Sequence, residues 1–357
     1  MYPDETRDLP ITEVIDPLKQ ALRESNELVL QAPPGAGKTT VVPLALLDEP
    51  WLSGGKILVL EPRRIAARAA AARMAHLLGE SLGQTVGYRI RLDTCVSEQT
   101  RIEVVTEGIL TRQLQRDPGL EDVGLVIFDE FHERNLDSDL CLALCLQGRE
   151  LFREGVDLKL LVMSATLDGD AVASLMGGSS VLTSKGRQFP VTTHFGRAHQ
   201  LRDSVVGPTV ETVMRALREQ NGSVLVFLPG QREIRQVQRA LGTALRGTDQ
   251  ADVQLLPLYG TLTLEQQQRA IQPAPRGKRK VVLATHIAET SLTIDGVDVV
   301  VDSGLAREPK FDPATGMRRW VVRRRSRASA EPRQGRAGRL SPGQCYRRGR
   351  EERHGRR

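Results

Sequence analysis

QAPPGAGKTT, residues 31–40, closes a short apolar run and opens a helical pattern. At such a strand-to-helix junction Gly35, Ala36 and Gly37, with Pro34 before them, can turn backbone N–H groups toward a phosphate that Lys38 neutralises. Thr39 can place its hydroxyl on Mg²⁺, and Thr40 completes the loop. The first glycine usual in such a loop is Ala32 here, but the strand before and the helix after argue against a chance glycine-rich turn. Alone, the loop specifies only a nucleoside triphosphate. A second stretch, GLVIFDEFHER at 124–134, runs four apolar residues, Leu125 to Phe128, into two adjacent carboxylates, Asp129 and Glu130. Neighbouring side chains on a strand diverge, which suits two jobs: Asp129 at the Mg²⁺, and Glu130, also a candidate at the metal, orienting the attacking water. An exposed Asp-Glu pair rarely follows such a run. Together the two stretches carry the parts of phosphoryl transfer. His132 can hydrogen-bond across a domain cleft or be an ordinary structural histidine. Ser164, Ala165 and Thr166 end a further apolar run and can relay the state of the phosphate site.

Outward from these stretches, short apolar runs alternate with helical patterns: Leu28 to Leu30, Ile57 to Leu60, Ile102 to Val105, Leu125 to Phe128 and Leu158 to Met163, with an Ala/Arg-rich helix over Ile65 to Leu78. Continuous apolar strands separated by helices imply a parallel sheet covered on both faces. Ligands of such sheets gather at the carboxyl ends of the strands, where both opening stretches lie. The segment GGSSVLTSKGRQFPV at 177–191 interrupts the pattern and is the expected boundary. Beyond it the alternation resumes with Val224 to Leu228, Val253 to Leu258, Val281 to Ala284 and Val297 to Val301. This second α/β unit has no phosphate loop of its own. Pro313 to Gly316, set among apolar and basic residues, predicts a hairpin turn.

A chain of 357 residues, 40% apolar and 26% charged, fits two globular domains of ordinary size. It has neither an apolar stretch of membrane-spanning length nor a secretory leader pattern, so a cytoplasmic protein is expected. Cys141 and Cys145 share a helical face at a spacing a metal could use, but no second pair of zinc-site spacing follows, and buried thiols are expected, as for Cys95 and Cys345. Net charge is +6, yet residues 318–357 alone carry 15 Arg against three Glu, which leaves −6 for the rest. Such a cluster points to a polyanionic partner, except in the last residues, where a solvated tail is expected.

The ordered set PRR (62–64), TEG (106–108), DEFH (129–132), SAT (164–166), LVFLPG (225–230), THIAETSLTID (285–295) and RQGRAGR (333–339) resembles superfamily 2 helicases of the DEAH-box type, and among them the bacterial HrpB-type ATP-dependent helicases. The resemblance covers residues 9–346. It implies two tandem RecA-like domains, each a mostly parallel sheet with helices on both faces, at 9–188 and 189–346, with an N-terminal tail at 1–8 and a basic tail at 347–357. It implies Mg-ATP in the cleft, with Arg336 and Arg339 as arginine fingers, Asp295 at the ribose and Arg73 beside the base. It also implies a track for one strand, formed by Arg63, Arg64, Thr106, Glu107, Gly108, Thr285 and Thr290, mostly on phosphates and sugars. The hairpin near 302–322 resembles one that acts at strand separation in related helicases; an ordinary surface hairpin is the alternative.

This chain departs from the family pattern at several positions. Pro332 replaces the glutamine that usually precedes the last motif, which removes a donor near the γ-phosphate and implies impaired hydrolysis. His286 stands for an asparagine. Ile271 stands where many relatives stack an aromatic residue on the base, which implies poor discrimination among NTPs. Relatives continue with winged-helix, helical-bundle and further domains, so the sequence resembles a truncated motor core. The expected function is an ATP-dependent motor that remodels single-stranded RNA, or DNA. The rival is an RNA clamp with little hydrolysis; a P-loop kinase lacks an acceptor site.

Overall fold

Leu28, Val29 and Leu30 show how one apolar run serves two faces of a sheet. Alternate side chains of a strand point to opposite sides. Leu28 and Leu30 accordingly join one buried cluster, with Ile57, Val59, Leu125, Ile127, Leu161 and Met163. Val29 joins another, with Leu58, Leu60, Val126, Phe128, Leu160 and Val162. The computed structural model describes Thr6 and residues 9–153, 157–165, 169–186, 189–196, 203–289, 294, 296–313, 315–324, 333–338 and 341–348. The chain divides into two units, Met1–Arg187 and Gln188–Arg357.

In the first unit the strands are β1 (Glu27–Gln31), β2 (Lys56–Leu60), β3 (Val86–Ile90), β4 (Asp93–Cys95), β5 (Ile102–Val105), β6 (Val123–Phe128), β7 (Lys159–Ser164) and β8 (Ser180–Thr183). They form one sheet in the order β4-β3-β5-β2-β6-β7-β1-β8, parallel except for the antiparallel edge pair β3–β4. Helices α1 (Ile15–Glu24), α2 (Lys38–Leu46) and α3 (Arg64–Leu77) bury Leu18, Val42 and Ala71 against one face. On the other face α4 (Glu107–Arg116), α5 (Leu136–Phe152) and α6 (Gly169–Leu175) bury Leu110, Cys145 and Val172.

Three strands escape a search for apolar runs. β3 reads VGYRI, and its Gly87 is needed because a Cβ there would lie 2.4 Å from the Cys95 carbonyl of the edge strand. β4 is a three-residue edge strand. β8, the other edge, is exposed at both of its ends and lies inside the stretch read as an interruption; it pairs with β1 and belongs to the first sheet. Edge strands bury little, so their sequences need not be continuously apolar.

The second unit has β9 (Val191–Gly196), β10 (Ser223–Phe227), β11 (Gln254–Leu258), β12 (Lys280–Ala284), β13 (Val297–Asp302) and β16 (Gly343–Arg348), in the order β11-β12-β10-β13-β16-β9. All its neighbouring strands are parallel. Helices α7 (Val206–Glu219) and α8 (Gln231–Ala244) bury Val213 and Val237 against it, and α9 (Leu264–Ile271) follows β11. The hairpin expected around Pro313 is present as β14 (Leu305–Asp312) and β15 (Met317–Arg324), paired antiparallel. β16 was not expected. It carries Arg347 and Arg348 into the sheet, so the tail does not begin at 347; residues 349–357 lie outside the described residues.

Among the described residues no helix is long and apolar enough to cross a membrane. Cys141, Cys145 and Cys345 are buried, Cys95 is half-buried, and all are free thiols. Burial pushes the Cys345 thiol up to about 12, so it stays protonated at neutral pH.

Lys280 is a buried staple of the second unit. It is fully buried, and its ammonium donates to the carbonyls of Ala270, Ile271 and Gln272 at 3.0, 3.3 and 2.5 Å, closing the C-terminus of α9. Lys280→Ala removes the donor to three carbonyls, of which that of Ala270 is buried, and urea denaturation should show a loss of about 1–3 kcal/mol; an unchanged midpoint would rule out the staple.

Candidate functional site

The phosphate loop is shaped by its backbone and by what lies beneath it. Gly35 and Gly37 have φ of 85° and 95°, a region that glycine enters without penalty. Ala32, in place of the usual glycine, is buried, and its N–H donates to the Ser164 carbonyl at 3.0 Å, tying the loop to the end of β7. The N-terminal segment supports the loop from the other side. Ile11 N–H donates to the Ala36 carbonyl at 3.1 Å, and a Cβ on Gly37 would lie 2.9 Å from Leu9 Cδ1. Leu9 and Ile11 were missed in the sequence, where nothing separates two apolar residues with a structural job from those supporting a ligand loop.

Lys38 opens α2 and is almost fully buried. Its ammonium lies 3.3 Å from Glu130 Oε1 and 3.6 Å from Asp129 Oδ1, and Thr39 donates its hydroxyl to Asp129 Oδ2. Burial penalises the charge on Lys38, but Glu130 and Asp129 outweigh that cost and hold the ammonium above its ordinary range. Burial likewise pushes the Asp129 carboxyl up, against the opposing pull of Lys38.

The expectation that the two carboxylates diverge is corrected. Glu130 has left the strand: its φ is 52°, and it heads a 3-10 turn over Phe131–Glu133. That reversal aims both carboxylates at the same ammonium.

Two carboxylates against one ammonium leave the cluster net negative. This suits a divalent cation. Thr39 and Asp129 offer hard oxygens side by side, and among the described residues no group of three His, Cys, Asp or Glu could hold a metal. Mg²⁺ would therefore draw its remaining oxygens from water and nucleotide phosphates, its usual habit.

His132 does not need a domain cleft for its partners. Its Nδ1 accepts from Ala165 N–H at 3.2 Å, and its Nε2 lies 3.4 Å from Glu130 Oε2. Burial holds the imidazole below its ordinary range, against the pull of Glu130. A neutral ring with Nδ1 as acceptor matches that. Ser164 is buried at the end of β7; Thr166 lies outside the described residues.

The candidates for the strand track in the first unit sit where helices begin. Arg63 precedes α3 and Arg64 starts it; Thr106 precedes α4, and Glu107 and Gly108 start it. Arg64 and Gly108 are exposed, as is Arg73 on α3, while Thr106 is buried. Arg63 and Glu107 have protein partners of their own. Arg63 Nη2 lies 3.0 Å from each oxygen of Glu133. Glu107 Oε1 accepts from Asn135 Nδ2 at 2.6 Å and from Ser138 Oγ at 2.9 Å.

In the second unit Thr285 is half-buried and His286 exposed. Arg336 is buried and donates from Nε to the Glu289 carbonyl at 2.7 Å. Arg333, which nothing in the local sequence sets apart from its neighbouring arginines, is fully buried. Its guanidinium pairs with Glu289 Oε1 at 2.7 Å and Asp302 Oδ1 at 2.6 Å, above the Phe227 ring at 4.7 Å. Thr290, Asp295, Pro332 and Arg339 lie outside the described residues.

With this geometry in hand, the likenesses to known proteins are specific. The DEAD/DEAH box helicase family matches residues 12–175, and the helicase conserved C-terminal domain matches 208–341. The chain is 51% identical to the ATP-dependent RNA helicase HrpB of Escherichia coli (strain K12), over 94% of this chain and 40% of that protein. The crystal structure of the Escherichia coli DEAH/RHA helicase HrpB superposes with a TM-score of 0.89 at 49% identity, covering 97% of this chain and 43% of that one. A crystal structure of the E. coli DExH-box NTPase HrpB gives 0.80 at 49% identity, covering 97% and 42%. The chain thus spans about two fifths of the length of these relatives.

Gly37→Ala tests the loop. It combines φ of 95° with a Cβ 2.9 Å from Leu9, which should cost about 1–3 kcal/mol of loop geometry. Titration with a fluorescent nucleotide should show roughly tenfold weaker binding or worse, with the circular dichroism spectrum unchanged.

Proposed function

The chain belongs to the DEAD/DEAH box helicases, and on that premise we propose that it hydrolyses Mg-ATP to drive the gripping and release of a single RNA strand in the cytoplasm. The observation that carries this reading is the buried meeting of Lys38, Asp129, Glu130 and Thr39 at the end of β6. Loop N–H groups and Lys38 would hold the nucleotide's phosphates, and Thr39 and Asp129 would hold a Mg²⁺ that supplies positive charge to them. Glu130, kept close to Lys38 and His132, orients water for in-line attack on the γ-phosphorus. Ala165 N–H fixes the tautomer of His132. To Arg336 and Arg339 we assign the guanidinium charge that stabilises the γ-phosphoryl group in the transition state, and to Asp295 and Arg73 the nucleoside. Arg63, Arg64, Thr106, Gly108, Thr285 and Thr290 take the strand's phosphates and sugars. We give Glu107 the part of holding that track in position, since its carboxylate is engaged by Asn135 and Ser138.

The test is phosphate release with and without single-stranded RNA and DNA. Lys38→Ala should reduce RNA-stimulated turnover on the order of 10²–10³-fold, and unchanged turnover would refute the site. If about five phosphates are held, a fourfold rise in salt should weaken RNA affinity about a hundredfold. Tight, salt-sensitive RNA binding with negligible phosphate release would instead favour the clamp reading, and restoring glutamine in Pro332→Gln should then raise turnover. Equal stimulation by DNA would widen the substrate to both nucleic acids.

A further inference from the structure

The structure points to Glu133 and Asn135 as positioning residues that join the nucleotide carboxylates to the strand-binding segments of the first unit. This rests on the reading above, in which Arg63 and Glu107 belong to or support the strand track.

The inference starts from a stiff piece of backbone. Glu130 and Arg134 both adopt left-handed φ, 52° and 42°, which side-chain-bearing residues seldom enter. Between them the 3-10 turn over Phe131–Glu133 is closed by Glu133 N–H to the Glu130 carbonyl at 2.9 Å and Arg134 N–H to the Phe131 carbonyl at 3.1 Å. Phe131 is buried and packs edge-on against Phe128, ring centroids 6.2 Å apart, which anchors the turn in the core. A displacement of Glu130 is therefore passed along the turn rather than absorbed by it.

Two side chains carry the motion outward. The Glu133 carboxylate holds Arg63 Nη2 with both oxygens at 3.0 Å, at the residue that precedes α3. Asn135 does two jobs at once. Its Oδ1 caps α5 by accepting from Ser138 N–H at 2.8 Å, and its Nδ2 donates to Glu107 Oε1 at 2.6 Å, at the first residue of α4. Ser138 Oγ donates to the same oxygen at 2.9 Å. The segment that begins with the hydrolytic carboxylates thus ends in tethers to both strand segments of its unit. The Glu133 side chain is engaged by Arg63 and that of Asn135 by Glu107 and the start of α5, so both are assigned to transmission rather than to chemistry.

The variants separate transmission from mere support. Glu133→Gln keeps shape and removes the charge that holds Arg63. Asn135→Ser keeps an oxygen to cap α5 but removes the Nδ2 donor to Glu107. In the full chain, steady-state ATPase is measured with and without a mixed-sequence single-stranded oligoribonucleotide, together with RNA affinity and thermal midpoint. Each variant should lose about fivefold or more of the RNA stimulation, while the RNA-free rate, the ATP half-saturation and the thermal midpoint stay at parent values. Full stimulation in both variants overturns the inference. So does a fall in the RNA-free rate and the midpoint together with the stimulation, because the pairs would then be structural staples. A parent that RNA does not stimulate overturns the underlying reading instead, and shows itself before any variant is made.

Discussion

A buried ammonium facing two buried carboxylates is the constraint on which the first unit turns. Lys38 comes from the helix after β1, and Asp129 and Glu130 follow β6, with β7 between these strands. A charge left alone in that interior costs several kcal/mol, so each partner is tolerable only where the other two arrive. The cluster therefore demands that the ends of β1 and β6 be level across β7. A one-residue slip of β6 would turn its side chains to the opposite face and break both the core alternation and the ion pairs together. Such a cluster says little about net stability, but it fixes register, and it leaves an excess of negative charge beside a hydroxyl and a set of loop N–H groups.

The second unit solves a similar problem with a different cation. Arg333 lies fully buried between Glu289 and Asp302. A guanidinium can satisfy two carboxylates in its plane while its face rests on Phe227, which a lysine ammonium cannot do. Burial works against the charge, and Asp302 with Glu289 raises its pKa regardless. Through Glu289 the network reaches Arg336, whose Nε binds the carbonyl of that same residue. The first and second arginines of RQGRAGR thus meet on one residue, Arg333 at the Glu289 carboxylate and Arg336 at its carbonyl.

Much of this was legible in the sequence, and what was not has identifiable causes. The runs at 28–30, 57–60, 102–105, 125–128 and 158–163 became strands because central parallel strands are buried on both faces and must be continuously apolar. β3, β4, β8, β9 and β16 carry glycine, polar or charged residues and gave no such signal. β16 is an interior strand yet ends in Arg347 and Arg348, because burial there falls on Gly343, Cys345 and Tyr346 and its last two residues are only half-buried. Lys38, Thr39, Asp129 and Glu130 were legible because a phosphate loop and an acidic strand end are local patterns. The convergence of Asp129 and Glu130 was not, since it follows from the left-handed backbone of Glu130, which no propensity favours.

Periodicity and residue chemistry, being properties of neighbours along the chain, were enough to read from sequence alone a parallel α/β architecture and a phosphate loop, while the helicase motifs were read as a resemblance to a family. Pairings between residues far apart were left to the tertiary structure: Thr39 with Asp129 across 90 residues, Arg63 with Glu133 across 70, Asn135 with Glu107 across 28. Those contacts depend on which strand ends lie side by side and on two left-handed residues between them. They exist only once the sheet has put its strands in order.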